Sequence, residues 1–238
     1  MQSHIRKILQ ASLVSIFLIT FPGSASWAVP ILDQSVDATV ATGTKKISGF
    51  IYGPISGRDP LERAQVFTVG VSGVLTDIEV MVGRLNGVSD PLIWELRDVS
   101  AGQPGANVLA SGSTAAASFP GLGFGTFPSS FPSSFISLGG LSLIVELGDV
   151  FAIVLRTMEP TFAAYSWRST DIPYTGGSQF TWRNSSDSWL PATSQGDPIY
   201  AGFRTFVDPV VNMFEPTTLA LMSLGLAGIG FSRKKKMN

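Results

Sequence analysis

The chain has 238 residues, of which 45% are hydrophobic and only 14% are charged, and this composition argues against a disordered chain. Its 25 glycines and 15 prolines argue against a long-helix protein. It has no cysteine and one histidine, His4, which excludes disulfides, thiolate nucleophiles, cysteine-ligated zinc and iron–sulfur clusters. Residues 29–214 carry 16 acidic and 10 basic side chains, a net charge of −6, so this part of the chain gives no reason to expect a nucleic-acid partner.

The first 28 residues have the three parts of a secretory signal peptide. In order, these parts are the basic pair Arg6 and Lys7, the apolar run Ile8 to Phe21, and the small residues Ser26 and Ala28. We therefore expect signal peptidase to cleave between Ala28 and Val29. The alternative, an uncleaved membrane anchor, requires a longer apolar run. His4 leaves with the peptide, so the mature chain has neither histidine nor cysteine.

Short stretches with a period of two, separated by turn-forming clusters, follow along the chain. Predicted strands are Ala64 to Val69, Val74 to Val82, Leu92 to Arg97, Asn107 to Ser113 after a break at Gln103-Pro104-Gly105, Phe135 to Leu138, Leu143 to Leu147, Phe151 to Arg156, Phe162 to Trp167, Gln179 to Arg183 and Ile199 to Val207. The predicted core residues are Val74, Ile78, Val80, Leu92, Trp94, Leu96, Ile153 and Leu155. This pattern predicts one all-β domain over residues 29–210, folded as a β-sandwich or jelly roll.

A Gly- and Pro-rich segment lies between Phe119 and Phe135 and contains the unit Phe-Pro-Ser-Ser twice in tandem. Proline removes a donor from a strand ladder, so the segment is predicted to be an insertion in a loop or at a sheet edge. Its phenylalanines either form an exposed patch or fold back on the sandwich.

Aromatic and polar residues are interleaved between Tyr165 and Trp189. Flat rings stack on sugars, and polar side chains hydrogen-bond to hydroxyl groups, so Trp167, Trp182 and Trp189 are candidate glycan-binding residues. The alternative is that these rings fill the core and hold turns, with Phe180 and Trp182 on one face of a strand. Asp and Asn side chains in the same loops could hold a structural calcium ion.

The C-terminus carries a second apolar segment, followed by the basic tail Arg233, Lys234, Lys235 and Lys236. It predicts a transmembrane helix over residues 217–232, with the tail on the cytoplasmic side. The apolar part, Thr217 to Phe231, has fifteen residues. As a helix it spans about 22 Å, which is short of the roughly 30 Å hydrocarbon layer. The sequence therefore predicts an all-β body flanked by an N-terminal signal helix and a C-terminal transmembrane helix.

The order of these C-terminal parts resembles a known sorting signal. Glu215 and Pro216 precede Thr217-Thr218-Leu219-Ala220-Leu221 and Gly225-Leu226-Ala227-Gly228-Ile229-Gly230-Phe231-Ser232-Arg233. Residues 214–238 resemble the PEP-CTERM signal, which consists of a Pro-Glu-Pro tripeptide, a short transmembrane helix and a basic tail. Here Phe214 stands where the first proline is usual. The resemblance implies processing by exosortase, a membrane protease-transpeptidase of Gram-negative bacteria that make exopolysaccharide and biofilm; the alternative is a plain anchor.

The body, over about residues 64–207, resembles extracellular β-sandwich modules called choice-of-anchor domains. The residues that carry the resemblance are Gln65-Val66-Phe67-Thr68-Val69-Gly70, Gly73-Val74-Leu75-Thr76, Gln103-Pro104-Gly105, Val108-Leu109-Ala110-Ser111, Gly148-Asp149-Val150-Phe151-Ala152-Ile153-Val154-Leu155, Gly176-Gly177, Ser188-Trp189 and Ala201-Gly202-Phe203-Arg204-Thr205-Phe206. The resemblance implies a fold and an extracellular location more than an activity.

The mature chain lacks the usual catalytic residues. Without His or Cys, no Ser-His-Asp or Cys-His centre can form, and histidine-ligated metal sites are excluded as well. A glycosidase needs only two carboxylates, and Asp77 with Glu79 is one pair on a single strand face. The sequence therefore predicts no enzyme and no cofactor.

Together these features predict an exported, non-enzymatic protein of a bacterial envelope or biofilm matrix, sorted by exosortase. We expect it to sit transiently in the inner membrane and then to reach the cell surface or extracellular matrix. The alternative is a secreted carbohydrate-binding module that interacts with exopolysaccharide, and a third hypothesis is a glycan-cleaving enzyme.

Overall fold

The described body is built from β-strands, nearly all of which pair in the antiparallel direction. The structure is a computed structural model, and it describes residues 29–39, 47–122, 134–162, 164–183, 185, 188–194 and 196–209. Its strands are β1 (Ile31–Val36), β2 (Ile47–Ile51), β3 (Leu61–Thr68), β4 (Gly73–Leu85), β5 (Leu92–Ser100), β6 (Gln103–Thr114), β7 (Gly121–Leu122), β8 (Ser134–Ser137), β9 (Leu143–Val145), β10 (Val150–Arg156), β11 (Tyr165–Thr170), β12 (Gln179–Arg183), β13 (Ser188–Pro191), β14 (Thr193–Ser194), β15 (Asp197–Pro198), β16 (Tyr200–Ala201) and β17 (Phe203–Pro209). A turn of 3-10 helix, Ala116–Ser118, follows β6.

The strands form two large sheets and one small hairpin. The nine-stranded sheet has the order β1-β17-β4-β11-β16, with β2 paired to β11 and with β7, β8 and β9 paired to β4. The six-stranded sheet has the order β13-β12-β3-β10-β5-β6, and β14 pairs with β15. β7 is parallel to β4, whereas the pairs within the six-stranded sheet are antiparallel.

The main core lies between the two large sheets. Phe67 on β3 and Phe203 on β17 are both fully buried, and their ring centroids are 5.7 Å apart. Because these residues belong to different sheets, this contact shows that the sheets pack face to face, as in a sandwich. The prediction of an all-β, sandwich-like body is confirmed. The jelly-roll alternative stays a prediction, and the flanking helices lie outside the described residues.

Seven of the eight predicted core residues are buried, and Val74 is the exception. Leu75 is fully buried instead, and Val74 is half-buried. The pairing of β4 with β17 explains this, because Phe206 lies opposite Asp77 whereas the next residue, Val207, lies opposite Leu75. Thr76 is therefore an extra residue on β4, and such a bulge reverses which side chains of the strand face the core. The prediction for Val74 was wrong for this reason.

The turn between β5 and β6 lies two residues earlier than predicted. Ala101 and Gly102 form it, with positive φ values of 51° and 77°, as in the turns that favour tight hairpins. Gln103-Pro104-Gly105 was predicted to break the chain, but it begins β6. Pro104 is tolerated there because β6 is the edge strand of its sheet.

The two described ends of the Gly- and Pro-rich segment fold back on the sandwich. Phe119 is buried in the core, and its ring meets that of Tyr165 edge-on at 5.4 Å. Phe135, on β8, is half-buried, and the guanidinium of Arg204 lies 3.7 Å from its ring centroid. Residues 123–133, with most of the tandem repeat, lie outside the described residues.

Candidate functional site

The two chain ends that lead to the predicted processing sites lie at the same end of the sandwich. β1 pairs with β17 along its length, and Ile31 lies opposite Val207. Val29, the residue expected at the mature N-terminus, is 77% exposed. β17 ends at Pro209, six positions before Glu215. The chain therefore enters and leaves the sandwich side by side.

The residues of the processing sites themselves lie outside the described residues. This holds for Ala28 and for the sorting residues Glu215, Pro216, Arg233, Lys234, Lys235 and Lys236. Within the described part of the chain, the structure contains no helix long and apolar enough to cross a membrane. The predicted span over residues 217–232 falls outside that part and stays a prediction.

Trp167 is a core residue rather than a surface residue. It lies on β11 of the nine-stranded sheet, is fully buried, and donates a hydrogen bond from Nε1 to the carbonyl oxygen of Gly202 at 2.9 Å. A sugar cannot stack on a ring with no accessible face. The structure therefore places Trp167 outside any surface glycan site, in line with the core alternative.

Trp182 and Trp189 lie together on the outer face of the six-stranded sheet. They are directly opposite each other on β12 and β13. Phe180 and Trp182 share this face, as the period of two predicted, and both pack with Trp189 in a small apolar cluster. Trp189 is only 9% exposed, whereas Trp182 is half-buried. Of the three candidate tryptophans, Trp182 is thus the most exposed residue.

A charged network occupies the same outer face, beside the aromatic cluster. Glu95 on β5 accepts a hydrogen bond from Nε of Arg97 at 2.7 Å and another from Nε of Arg156 at 3.1 Å. Burial acts to raise the pKa of Glu95, but the hydrogen bonds and positive charges of the two arginines outweigh it, so its pKa lies below the ordinary value. Glu95 is therefore a stable carboxylate at neutral pH.

Glu62 lies on the same face, but its pKa is shifted in the opposite direction. It lies opposite Trp182 on β3, and burial raises its pKa above the ordinary value, although Arg156 and Arg97 act to lower it. The sequence interpretation missed Glu62, Glu95, Arg97 and Arg156. The alternation of β5 was the available sign, because Glu95 and Arg97 take the face opposite to Trp94 and Leu96.

The carboxylates that the sequence paired for a glycosidase both have structural partners. Asp77 accepts hydrogen bonds from the backbone N–H of Ile78 and from the hydroxyl of Ser137, and Glu79 forms an ion pair with Arg204 at 3.6 Å. Among the described residues, no group of three or more His, Cys, Asp or Glu side chains is arranged to hold a metal ion. The structural calcium ion stays a prediction.

Comparison with known families identifies the C-terminal segment. Residues 215–234 match the PEP-CTERM protein-sorting motif, which confirms that assignment. No curated protein matches the chain. The motif marks the chain as an exported protein that exosortase sorts and that reaches the cell surface by way of the membrane. The match begins at Glu215, directly after Phe214.

Proposed function

We propose that this chain is a non-enzymatic protein of the bacterial envelope or biofilm matrix that exosortase releases from the inner membrane. The observation that carries the proposal is the sorting motif at residues 215–234, which begins six positions after the last strand of a folded β-sandwich. The resemblance of the body to choice-of-anchor domains supports the same location.

The geometry of the C-terminal exit supports transient anchoring. Only residues 210–214 separate β17 from Glu215, and five residues reach at most about 17 Å when extended. The sandwich is thus held close to the membrane until the chain is cut. The apolar segment is about 8 Å shorter than the hydrocarbon layer, which suits a span that is used briefly.

The residue inventory supports a binding or structural role over catalysis. Once the signal peptide is removed, no side chain with the ordinary pKa of histidine or cysteine is present to move a proton near neutral pH. Incubation with bacterial polysaccharides should leave their size distribution unchanged. A shortened distribution would instead support the glycan-cleaving hypothesis.

Processing is tested by export of the full chain in a host with and without exosortase. We expect a smaller mass, lacking everything after about Pro216, only where exosortase is present. Replacing Glu215→Ala and Pro216→Ala should leave the larger form in the membrane. Asp197→Ala with Pro198→Ala is the matched control, since it removes an exposed acid–proline pair elsewhere. Persistence of the full-length chain in both hosts would make the segment a plain anchor.

A second candidate function is carbohydrate binding on the outer face of the six-stranded sheet. The half-buried ring of Trp182, with Glu62 opposite it, is the observation that favours this function. Trp182→Ala should reduce capture on immobilised exopolysaccharide, Trp189→Ala should reduce it less, and Leu190→Ala, an exposed neighbour, should leave it unchanged. If all variants are captured equally well, the tryptophan rings do not bind carbohydrate and serve only in packing.

A further inference from the structure

A cleft opens between the two large sheets at one end of the sandwich. Its volume is about 470 Å³. Phe50 and Tyr52, from β2 and the residue after it, line one wall, and Leu61, Arg63 and Arg183, from the six-stranded sheet, line the other. This volume falls in the range of small-molecule sites.

Three guanidinium groups converge on this cleft although the mature chain is acidic overall. Arg58 and Arg183 are exposed at its rim, and Arg63 is half-buried. Nε of Arg63 donates to the carbonyl oxygen of Phe50 at 3.3 Å, and its Nη1 donates to the hydroxyl of Thr181. Both acceptors are neutral. Burial is the main cause that lowers the pKa of Arg63 to about 10, and the positive charge of Arg183 acts in the same direction, so Arg63 is still a cation at neutral pH.

One carboxylate, Asp59, also lines the cleft. Its Oδ2 accepts a hydrogen bond from the backbone N–H of Ser185 at 3.1 Å, so it holds the neighbouring loop. With three cations and one anion, the lining keeps a positive excess. Such an excess attracts an anionic ligand.

Aromatic surface borders the same guanidinium groups. Phe162 is 43% exposed, and its ring lies 5.2 Å from that of Tyr52 and 5.9 Å from that of Phe50. The guanidinium of Arg58 lies 4.8 Å from the centroid of the Phe162 ring. A small inorganic anion has no apolar surface to pack against an exposed aromatic ring. A sugar ring has an apolar face, which can stack on such an aromatic ring.

The cleft lies at the end of the sandwich opposite to the end at which the chain leaves it after Pro209. β3 starts at the cleft with Leu61 and runs toward Gly70, whose N–H donates to Asp33 beside the chain exit. β4 runs between the same two ends over 13 residues, which corresponds to roughly 40 Å. The cleft is therefore far from the point at which the chain continues into the C-terminal segment.

We propose that this cleft binds a carboxylate-bearing sugar residue of an extracellular polysaccharide, with the carboxylate held by Arg58, Arg63 and Arg183 and the sugar ring stacked on Phe162. Guanidinium groups bind carboxylates through two parallel hydrogen bonds, which gives geometric specificity. The inference rests on the proposal that the protein works outside the cell, but it is independent of the site around Trp182.

The ligand class is tested by calorimetric titration of the full chain in a non-ionic detergent. We expect oligogalacturonate to bind, its methyl-esterified form to bind at least about tenfold more weakly, and binding to weaken with added salt. Equal affinity for the ester would overturn the role of the carboxylate. Equal affinity for inorganic phosphate or sulfate would overturn the role of the sugar ring.

The location is tested by variants of exposed residues, and the melting temperature of each variant shows whether it is folded. Arg58→Gln with Arg183→Gln should weaken oligogalacturonate binding at least about tenfold, and Phe162→Ala should also weaken it. Arg204→Gln, on β17, is the matched control and should bind as the parent does. Unchanged binding by the double variant at an unchanged melting temperature would overturn the site. These titrations use purified chain, so they are independent of exosortase processing and can fail while sorting stands.

Discussion

Gln65 and Gln179 lie directly opposite each other on β3 and β12, and both side chains reach across the core to the other sheet. Oε1 of Gln65 accepts a hydrogen bond from the backbone N–H of Ala201 at 2.8 Å, and Oε1 of Gln179 accepts one from the hydroxyl of Ser169 at 3.1 Å. Ser169 and Ala201 are themselves a pair in the nine-stranded sheet. Two buried side chains of the six-stranded sheet thus form hydrogen bonds with the paired residues Ser169 and Ala201 of the nine-stranded sheet and link the two sheets through the core.

Removing this link should destabilise the sandwich. Gln65→Leu leaves the buried N–H of Ala201 without its acceptor, so we expect a loss of about 1–3 kcal/mol in the free energy of unfolding, measured by urea denaturation. Gln103→Leu, on the edge strand, is the control and should change stability by less than about 0.5 kcal/mol. A loss as small for Gln65→Leu as for the control would show that the bond does not stabilise the fold.

Two buried tryptophans should respond differently to replacement by phenylalanine. Nε1 of Trp167 donates to Gly202, whereas Nε1 of Trp94 has no hydrogen-bond partner in the described part of the chain. Trp167→Phe should therefore cost about 0.5–1.5 kcal/mol more than Trp94→Phe in denaturant unfolding. Trp94→Ala removes the whole side chain beside Gly112 and should cost about 3–5 kcal/mol. Equal losses for the two phenylalanine variants would contradict the assigned hydrogen bond.

The network around Glu95 should make stability depend on pH. Its pKa in the folded state lies below the ordinary value of 4.5, so its stabilisation is present above pH 4.5 and is lost as the pH falls further. Glu95→Gln should lower stability at pH 7 and flatten the decline on the acid side. Glu62→Gln should steepen that decline, since the pKa of Glu62 is raised and its protonation favours the folded state. Unfolding followed from pH 7 to pH 3 measures both, and parallel profiles would contradict the network.

Export should remove residues 1–28. N-terminal sequencing of protein recovered outside the inner membrane should begin at Val29, which is exposed and therefore accessible at the start of the sandwich. Ala28→Leu places a large side chain at the cleavage position and should slow the cut, whereas Val29→Leu should not. Recovery of protein that begins at Met1 would contradict the prediction.

Local periodicity predicted most of the strands but missed those at the periphery. β12 begins and ends where predicted, and the core residues Leu92, Trp94 and Leu96 of β5 follow from alternation. β10 is instead a continuous apolar run that is buried on both faces from Ala152 to Leu155. β1 was missed because Ile31 and Leu32 are both exposed, and only pairing with β17 makes this segment a strand. The short strand β13 was missed for a similar reason, since its register depends on Trp182.

The candidate glycan-binding residues could be identified from the sequence, but their exposure could not. Aromatic enrichment between Tyr165 and Trp189 is visible in the sequence, but the sheet to which each strand belongs is not. β11 joins the nine-stranded sheet and turns Trp167 inward, whereas β12 and β13 join the other sheet and present Trp182 and Trp189 on its outer face.

The sequence by itself determined the sorting motif, the all-β character and the absence of histidine and cysteine from residues 29–238, and it predicted the signal peptide. Each of these depends on residues close together in the chain or on composition. The tertiary structure alone decided the exchange of Val74 for Leu75 in the core, the link between Gln65 and Ala201, and the gathering of Arg58, Arg63 and Arg183 at one cleft. The physical reason is that these arrangements depend on bulges and on strand pairing between distant segments, which no local pattern encodes.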